Sequence, residues 1–164
     1  MTPNVKNSLF HPDIMYLIRK EIEWLKSGQV EGVVQDLNEF KRLEQHSNAF
    51  FGALHVMITD RVSEWLGVRV KPSYNFTSMY YTGEGVCPAH TDRPPCKYTV
   101  DLCVNQNETW GIFVDGTEYF LDEGDALIYS GTDHLHYREK IQPTNYCDLV
   151  FFHFVPEDYE GQLF

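Results

Sequence analysis

The sequence has few basic residues and no long apolar run, and both shortages exclude classes of function. Lysine and arginine number 13 against 24 aspartates and glutamates, so the formal net charge is −11. Nucleic acids and anionic lipids are bound mainly through lysine and arginine, so we expect neither as a partner. No stretch reaches the roughly 18 apolar residues of a membrane helix, and MTPNVKNSLFHPD lacks the apolar core of a signal peptide. We therefore expect a cytoplasmic protein.

Cysteine is also scarce, and its spacing argues against a disulfide framework. The four cysteines are Cys87, Cys96, Cys103 and Cys147, and none of them forms a C-x-x-C pair. Since no export signal is present, we expect reduced thiols. A local bridge between Cys87 and Cys96 is the alternative that their spacing leaves open.

The chain changes character near residue 70. Its 164 residues are enough for one domain with a buried core. Up to residue 70 apolar residues recur at helical spacing, and from 71 to 164 short β-branched and aromatic runs alternate with turns. We expect a single domain over 1–164, in which the first part is a helical support and the second is a β core with the functional site.

Three helices are predicted in the first part. One lies between Pro12 and Gly28, which are typical start and stop residues of a helix. A second is predicted over about 30–43 and a third over about 48–65. Lys41 and Arg42 are assigned to a solvated helix face.

The second part predicts seven or eight short strands with no helix between them, as in an antiparallel sandwich or barrel. The Asp115-Gly116 pair predicts a type I′ hairpin turn. In the strand over 97–105, strict alternation places Thr99, Asp101 and Cys103 on one face. The predicted strands cover 74–82, 97–105, 110–114, 117–121, 126–129, 134–141 and 147–155.

A His-x-Asp tripeptide is the first candidate for metal chemistry. On an extended backbone His90 and Asp92 point to the same side, so both can bind one ion. A third ligand from His134 or His136 would complete two imidazoles and one carboxylate on one face of a metal, the arrangement of non-haem Fe(II) sites. The tripeptide alone is weak evidence, because His11-Pro12-Asp13 also fits and is more simply a helix start.

The order of motifs around this tripeptide resembles a known family. PSYNFTSMYYTGEGVCPAHTDRPPCKYTVDLCVN is followed by EGDALIYSGTDHLHYRE, and over 72–155 the chain resembles Fe(II)/2-oxoglutarate-dependent dioxygenases, especially small prolyl-4-hydroxylase-like members. The HTDR and HYRE segments are close to the HxDR and HWRE motifs of a bacterial subgroup. The resemblance implies a mainly β fold, a double-stranded β-helix (jelly roll, cupin-like) supported by the helices. It also implies an enzyme that uses Fe(II), O2 and 2-oxoglutarate as co-substrate.

The resemblance implies His90, Asp92 and His136 as the iron ligands. The HYRE match favours His136 over His134, which would then be a nearby pocket residue. His153 lies in the apolar run Phe151-Phe152-His153-Phe154, where a histidine is more often a hydrogen-bonded core residue than a ligand.

The chain departs from the family where a base should bind the far carboxylate of 2-oxoglutarate. The family usually has Arg or Lys about ten residues after the distal histidine, but residues 144–148 read TNYCD. A buried carboxylate without a cation is costly, so another base is expected. Arg138 is the first choice because it shares a strand face with His136. Lys97 and Arg93 are weaker candidates.

Hydroxyl groups are also expected to line the site. The family keeps a co-substrate-binding tyrosine in the strand before His-x-Asp; Tyr80 and Tyr81 are both candidates, and Tyr81 fits the commoner spacing. Thr99 is expected to line the site, and Trp110 and Tyr129 to belong to the core.

The predicted function is hydroxylation of an amino-acid or peptidyl C–H bond, with 2-oxoglutarate and O2 converted to succinate and CO2. Two alternatives remain because jelly rolls carry many functions. One is a metal-binding module that has lost the co-substrate anchor, and the other is a cupin-like metalloenzyme that does not use 2-oxoglutarate.

Overall fold

The computed structural model describes residues 1–81 and 83–163, which form two helices, one short 3-10 helix and eleven strands. The helices are α1 (Pro12–Lys26) and α2 (Ala49–Leu66), and the 3-10 helix spans Pro94–Cys96. The strands are β1 (Asn4–Lys6), β2 (Val33–Asp36), β3 (Arg42–His46), β4 (Val70–Tyr80), β5 (Cys87–His90), β6 (Tyr98–Gln106), β7 (Ile112–Val114), β8 (Thr117–Tyr119), β9 (Ala126–Tyr129), β10 (His136–Arg138) and β11 (Cys147–Pro156).

The strands form two antiparallel sheets. The larger has the order β1-β9-β6-β11-β4-β3-β2, and the smaller has the order β5-β10-β7-β8. Apolar residues of the smaller sheet, such as Ile112 and Val114, pack against Tyr129 and Leu149 of the larger one. This arrangement confirms the predicted mainly β, jelly-roll architecture.

Both helices cover the outer face of the larger sheet. Buried α1 and α2 residues such as Ile18 and Ile58 share one core with Val100 and Leu102 of β6 and Phe152 of β11. Because strand side chains alternate, the neighbouring β6 residues point to the inner face instead. The alternation predicted for this strand therefore places one set of side chains against the helices and the other set between the two sheets.

The predicted second helix is wrong, because residues 30–43 contain β2 and the start of β3. Successive side chains of β3 point to opposite faces of the sheet, as in a strand and not a helix. Leu43 packs toward the helices, whereas Arg42 and Glu44 line an inner cavity. The carboxylate of Asp36 also accepts the backbone N–H groups of residues 38, 39 and 40, which stabilises a turn rather than a helix. The described chain thus has two α-helices and not three.

Other local predictions agree with the structure, with shifted ends. Asp115 and Gly116 have φ values of 49° and 78°, as a type I′ turn requires. His11 caps α1 by accepting the N–H of Asp13. The predicted strand over 74–82 is β4, which ends at Tyr80; Thr82 lies outside the described residues.

Besides β2 and β3, the short strands β1 and β5 were not predicted from the sequence. All four cysteines are free thiols, so the alternative bridge between Cys87 and Cys96 is absent. Neither described α-helix has the length and apolar character needed to cross a membrane.

Candidate metal centre

Two histidines meet across neighbouring strands of the smaller sheet. His90 ends β5 and His136 begins β10, and the two residues are direct partners in the antiparallel ladder. Directly opposed residues project to the same face of a sheet, and here the ring centroids lie 4.4 Å apart. The fold therefore brings together two imidazoles that are 46 positions apart in the sequence.

Asp92 completes the cluster. Its backbone N–H donates to the carbonyl of Gly131 over 2.8 Å. Its Oδ1 lies 3.5 Å from Nε2 of His90 and 3.7 Å from Nε2 of His136. One ligand atom from each of the three residues lies within 4.8 Å of the others, so the three side chains can bind one ion.

Backbone contacts orient both imidazoles. Nδ1 of His90 lies 2.7 Å from the carbonyl of Pro88, and Nδ1 of His136 lies 2.9 Å from the carbonyl of His134. A carbonyl only accepts, so each Nδ1 carries the proton and each Nε2 faces Asp92. This is the usual support of metal-binding histidines.

Hydrogen bonds within the cluster shift the pKa values of His90 and Asp92. Hydrogen bonds with Asp92 and Cys87, of which the one with Asp92 has the larger effect, raise the pKa of His90 to about 10. Burial alone would raise the pKa of Asp92, but hydrogen bonds from His136 and His90 lower it. Because a cation that binds Nε2 of His90 must compete with a proton there, its affinity depends on pH.

The donor set fits Fe(II). Two imidazoles and one carboxylate lie on one wall of a cavity of about 450 Å³, so further coordination positions can face the cavity. Such a facial set with open positions is typical of non-haem Fe(II) oxygenases. The cavity is also large enough for a small ligand.

The other histidines near the cluster have different surroundings. Nε2 of His134 lies 3.9 Å from a carboxylate oxygen of Asp115, and His134 belongs to neither group of candidate ligands in the described residues. Nδ1 of His153 contacts Oγ1 of Thr99 at 3.1 Å, and burial lowers the pKa of His153 to about 4. His153 is thus a hydrogen-bonded core residue, as expected, but it also lines the cavity.

Arg138, the sequence-based choice for the co-substrate base, reaches the cavity in an ion pair. Its side chain is buried and lines the cavity. It donates to Oδ2 of Asp101 over 2.8 Å and to the carbonyl of Trp110 over 2.6 Å. Burial would lower the pKa of Arg138, but the charge of Asp101 raises it. The fully buried carboxylate therefore balances the guanidinium charge.

Arg42 is a second buried base at the cavity, whereas the helical spacing around it predicted a solvated face. It is 9% exposed and donates to the hydroxyl of Tyr80 over 2.8 Å and to Glu44 over 3.1 Å. Its guanidinium lies 4.0 Å from the ring centroid of Phe40. The alternation of Arg42, Glu44 and His46 with Leu43 and Gln45 was the signal that could have revealed this position.

The remaining predicted site residues divide between cavity and surface. Tyr80 is buried and lines the cavity, whereas Tyr81 is 43% exposed and accepts a hydrogen bond from Gln35. The structure thus places Tyr80 rather than Tyr81 at the cavity, and co-substrate binding by either tyrosine stays a prediction. Lys97 pairs with Asp133 at 2.6 Å and does not line the cavity.

Four more residues named from the sequence lie near the cluster or near Tyr80. Thr99 is fully buried and donates to Oδ2 of Asp92 over 3.3 Å. Arg93 reaches the cavity and donates to the hydroxyl of Tyr74. Tyr129 was expected in the core; it is buried, and its ring also packs edge-on against His136 at 4.9 Å. Trp110 packs against Tyr80 with ring centroids 4.8 Å apart.

Comparisons with known proteins show which fold this is. No family profile and no curated protein matches the sequence. HygX from Streptomyces hygroscopicus, solved with nickel and 2-oxoglutarate, is 12% identical with a TM-score of 0.72, over 96% of this chain and 83% of its own. A Pseudomonas putida prolyl-4-hydroxylase is 11% identical with a TM-score of 0.69, over 92% and 91%. SnoN, a non-haem α-ketoglutarate-dependent epimerase from nogalamycin biosynthesis, is 8% identical with a TM-score of 0.77, over 94% and 78%. The chain therefore has the double-stranded β-helix fold of the iron- and 2-oxoglutarate-dependent oxygenases.

Proposed function

We propose that the protein is an Fe(II)/2-oxoglutarate-dependent oxygenase. The observation that carries the proposal is the convergence of His90, Asp92 and His136 at the wall of a cavity in this fold. In the reaction, 2-oxoglutarate and O2 become succinate and CO2, and one oxygen atom enters a C–H bond of the substrate. Bound Fe(II) would supply the position at which 2-oxoglutarate and O2 meet.

The protein's own residues orient and enclose the reacting groups. His90 and His136 are held by backbone carbonyls, and Thr99 donates to Asp92, so the three ligands need little rearrangement. Tyr129 is buried and packs edge-on against His136, which limits the access of water to that face of the imidazole. The cavity side remains open for 2-oxoglutarate and substrate.

The far carboxylate of 2-oxoglutarate needs a base, and we assign it to Arg42 with Tyr80. The last strand presents Leu149, Phe151 and His153 to the cavity, so it offers no cation there. The hydroxyl of Tyr80 accepts from Arg42 and keeps its own proton to donate. A guanidinium and a hydroxyl together match the acceptor geometry of a carboxylate.

Arg138 is less suited to this role because Asp101 already balances its charge. A second carboxylate at that pair would leave one net negative charge in a buried site, which is unfavourable. Glu44, the partner of Arg42, has a side chain that is 21% exposed, whereas that of Asp101 is fully buried, so the Glu44 carboxylate keeps more of its hydration. The sequence-based choice of Arg138 remains a prediction. Variants of Arg42 and Arg138 distinguish the two candidates.

The substrate is proposed to be an amino acid or a peptidyl side chain, as the prolyl-hydroxylase resemblance implies. HygX has also been solved with hygromycin B bound, which supports a small-molecule substrate as well. SnoN is an epimerase, so inversion at a C–H centre is the second candidate reaction. Product analysis separates the two, because only hydroxylation adds an oxygen atom.

Thermal unfolding and succinate formation together test the proposal. We expect the protein to be stabilised by Fe(II) or Mn(II), and stabilised again by 2-oxoglutarate when the metal is present. A ligand that binds only the native state adds about 2.7 kcal/mol at a hundredfold excess over Kd. With ascorbate added as the two-electron reductant, the iron-loaded protein should also form succinate from 2-oxoglutarate without added substrate.

A matched variant makes the test specific. His136→Ala should lose both shifts, whereas His134→Ala should keep them. A metal shift without a 2-oxoglutarate shift, and without succinate, would instead support the metal-binding module or the cupin-like enzyme.

A further inference from the structure

The carboxylate of Asp92 faces two different groups of side chains. Oδ1 lies toward His90 and His136, at 3.5 and 3.7 Å from their Nε2 atoms. Oδ2 accepts from Oγ1 of Thr99 at 3.3 Å, and the same hydroxyl lies 3.1 Å from Nδ1 of His153. Thr99 thus holds His153 on the Oδ2 side of the carboxylate.

Cys96 joins Asp92 and His153 in a second cluster. One ligand atom from each of these residues lies within 4.8 Å of the others. Cys96 is 2% exposed and His153 is 6% exposed, and both line the same cavity as Asp92. The cluster is therefore desolvated but can be reached from the cavity.

We propose that Cys96, His153 and Asp92 form a second cation site, which binds a thiophilic divalent cation such as Zn²⁺. Thiolate, imidazole and carboxylate are the ligands that zinc takes in proteins. Binding forms a metal–sulfur bond and releases the thiol proton to solvent. The thiolate and the carboxylate then neutralise the two positive charges of the cation.

The surroundings of Cys96 support this assignment. The hydroxyl of Tyr74 lies 3.0 Å from Sγ of Cys96, so a polar group stands beside the sulfur within an otherwise apolar cluster that includes Phe76. A hydrogen bond to the sulfur stabilises a thiolate ligand. The two sites share the carboxylate of Asp92, but the second site uses neither His90 nor His136, so cation binding there can be measured apart from succinate formation.

Cobalt(II) is the probe, since a Co²⁺–thiolate bond gives a charge-transfer absorption band in the near ultraviolet and Co²⁺ replaces Zn²⁺ at such sites. The full chain is titrated under anaerobic, reducing conditions. We expect the band in the wild type and its loss in Cys96→Ser. Removing one ligand in His153→Gln should weaken the cation affinity behind the band by about tenfold or more, and Zn²⁺ should displace the band.

Two matched variants identify the sulfur and the site. Cys87 hydrogen-bonds His90 at the first cluster, so Cys87→Ser should keep the band. His90→Ala should also keep it, although this variant should lose succinate formation. The proposal is overturned if the wild type shows no band, if the band survives Cys96→Ser, or if it vanishes only in Cys87→Ser. Circular dichroism checks that Cys96→Ser is folded, and His153→Gln tests the same site with the thiol intact.

Discussion

Gly131 lies directly against Asp92. A Cβ atom on Gly131 would stand 2.2 Å from Oδ2 of Asp92 and 2.5 Å from the carbonyl oxygen of Cys96. The carbonyl of Gly131 also accepts the backbone N–H of Asp92. The absence of a side chain at this position therefore allows the segment after β9 to support the carboxylate at close range.

We predict that Gly131→Ala weakens Fe(II) or Mn(II) binding by about tenfold or more, because the methyl group displaces a candidate ligand from its position. Anaerobic calorimetric titration measures the effect. Gly52→Ala is the matched control, since a Cβ there meets only Nδ2 of Asn75 at 3.7 Å. It lies in α2, so it should keep metal affinity and add about 0.5–1 kcal/mol of stability. Equal metal affinity in both variants would contradict the supporting role of Gly131.

The ligand assignment gives a second prediction. His90→Ala, Asp92→Ala and His136→Ala should each abolish tight Fe(II) binding while far-UV circular dichroism stays native, because each removes one of three donors. His134→Ala should bind metal like the wild type. Loss of metal in His134→Ala, with retention in His136→Ala, would reverse the assignment.

The sequence predicted the parts of the site that depend on local spacing. The alternation of β6 placed Thr99 and Asp101 on the inner face, and the two-residue spacing placed His90 beside Asp92. Arg42 was missed because its orientation depends on the pairing of β3 with β4, where Leu43 lies opposite Met79. A short amphipathic segment fits either a helix or a strand until its partner is known. Long-range pairing, rather than local propensity, decided this segment.

The two buried arginines give a third prediction. Arg42→Met should raise the KM for 2-oxoglutarate by about thirtyfold or more with nearly unchanged metal affinity, because loss of one partner of a buried charge pair costs about 2–5 kcal/mol. Arg42→Lys should recover part of the loss, since an ammonium group cannot form the forked contact. Steady-state succinate formation measures both variants.

Arg138 requires a paired variant, because Arg138→Met alone leaves the buried Asp101 without its counter-charge and should cost about 3–5 kcal/mol of stability. Arg138→Met combined with Asp101→Asn removes both charges. We expect this double variant to keep a KM for 2-oxoglutarate close to that of the wild type. If the KM for 2-oxoglutarate rose strongly in the double variant and stayed normal in Arg42→Met, Arg138 would be the base that binds the far carboxylate.

The last prediction concerns His55, a buried histidine on α2. The side chain is 2% exposed, and its Nε2 has no hydrogen-bond partner in the described residues. Its ring packs edge-on against Phe154 with centroids 4.4 Å apart. Burial lowers the pKa of His55 to about 3 from 6.5, so the folded protein holds this imidazole neutral.

Between about pH 6.5 and pH 3 the unfolded chain binds a proton at His55 that the folded protein does not. The His55 contribution to the free energy of unfolding is therefore constant above about pH 6.5. Below that pH the free energy of unfolding falls by about 1.4 kcal/mol for each pH unit. His55→Leu should abolish this term, so between pH 7 and pH 5 the variant should lose about 2 kcal/mol less than the wild type. Urea unfolding at the two pH values measures the difference. His11→Asn removes an exposed imidazole with a side chain 72% accessible, keeps a capping group for α1, and should lose as much stability as the wild type. If His55→Leu lost as much as His11→Asn, burial of His55 would not be a source of acid sensitivity.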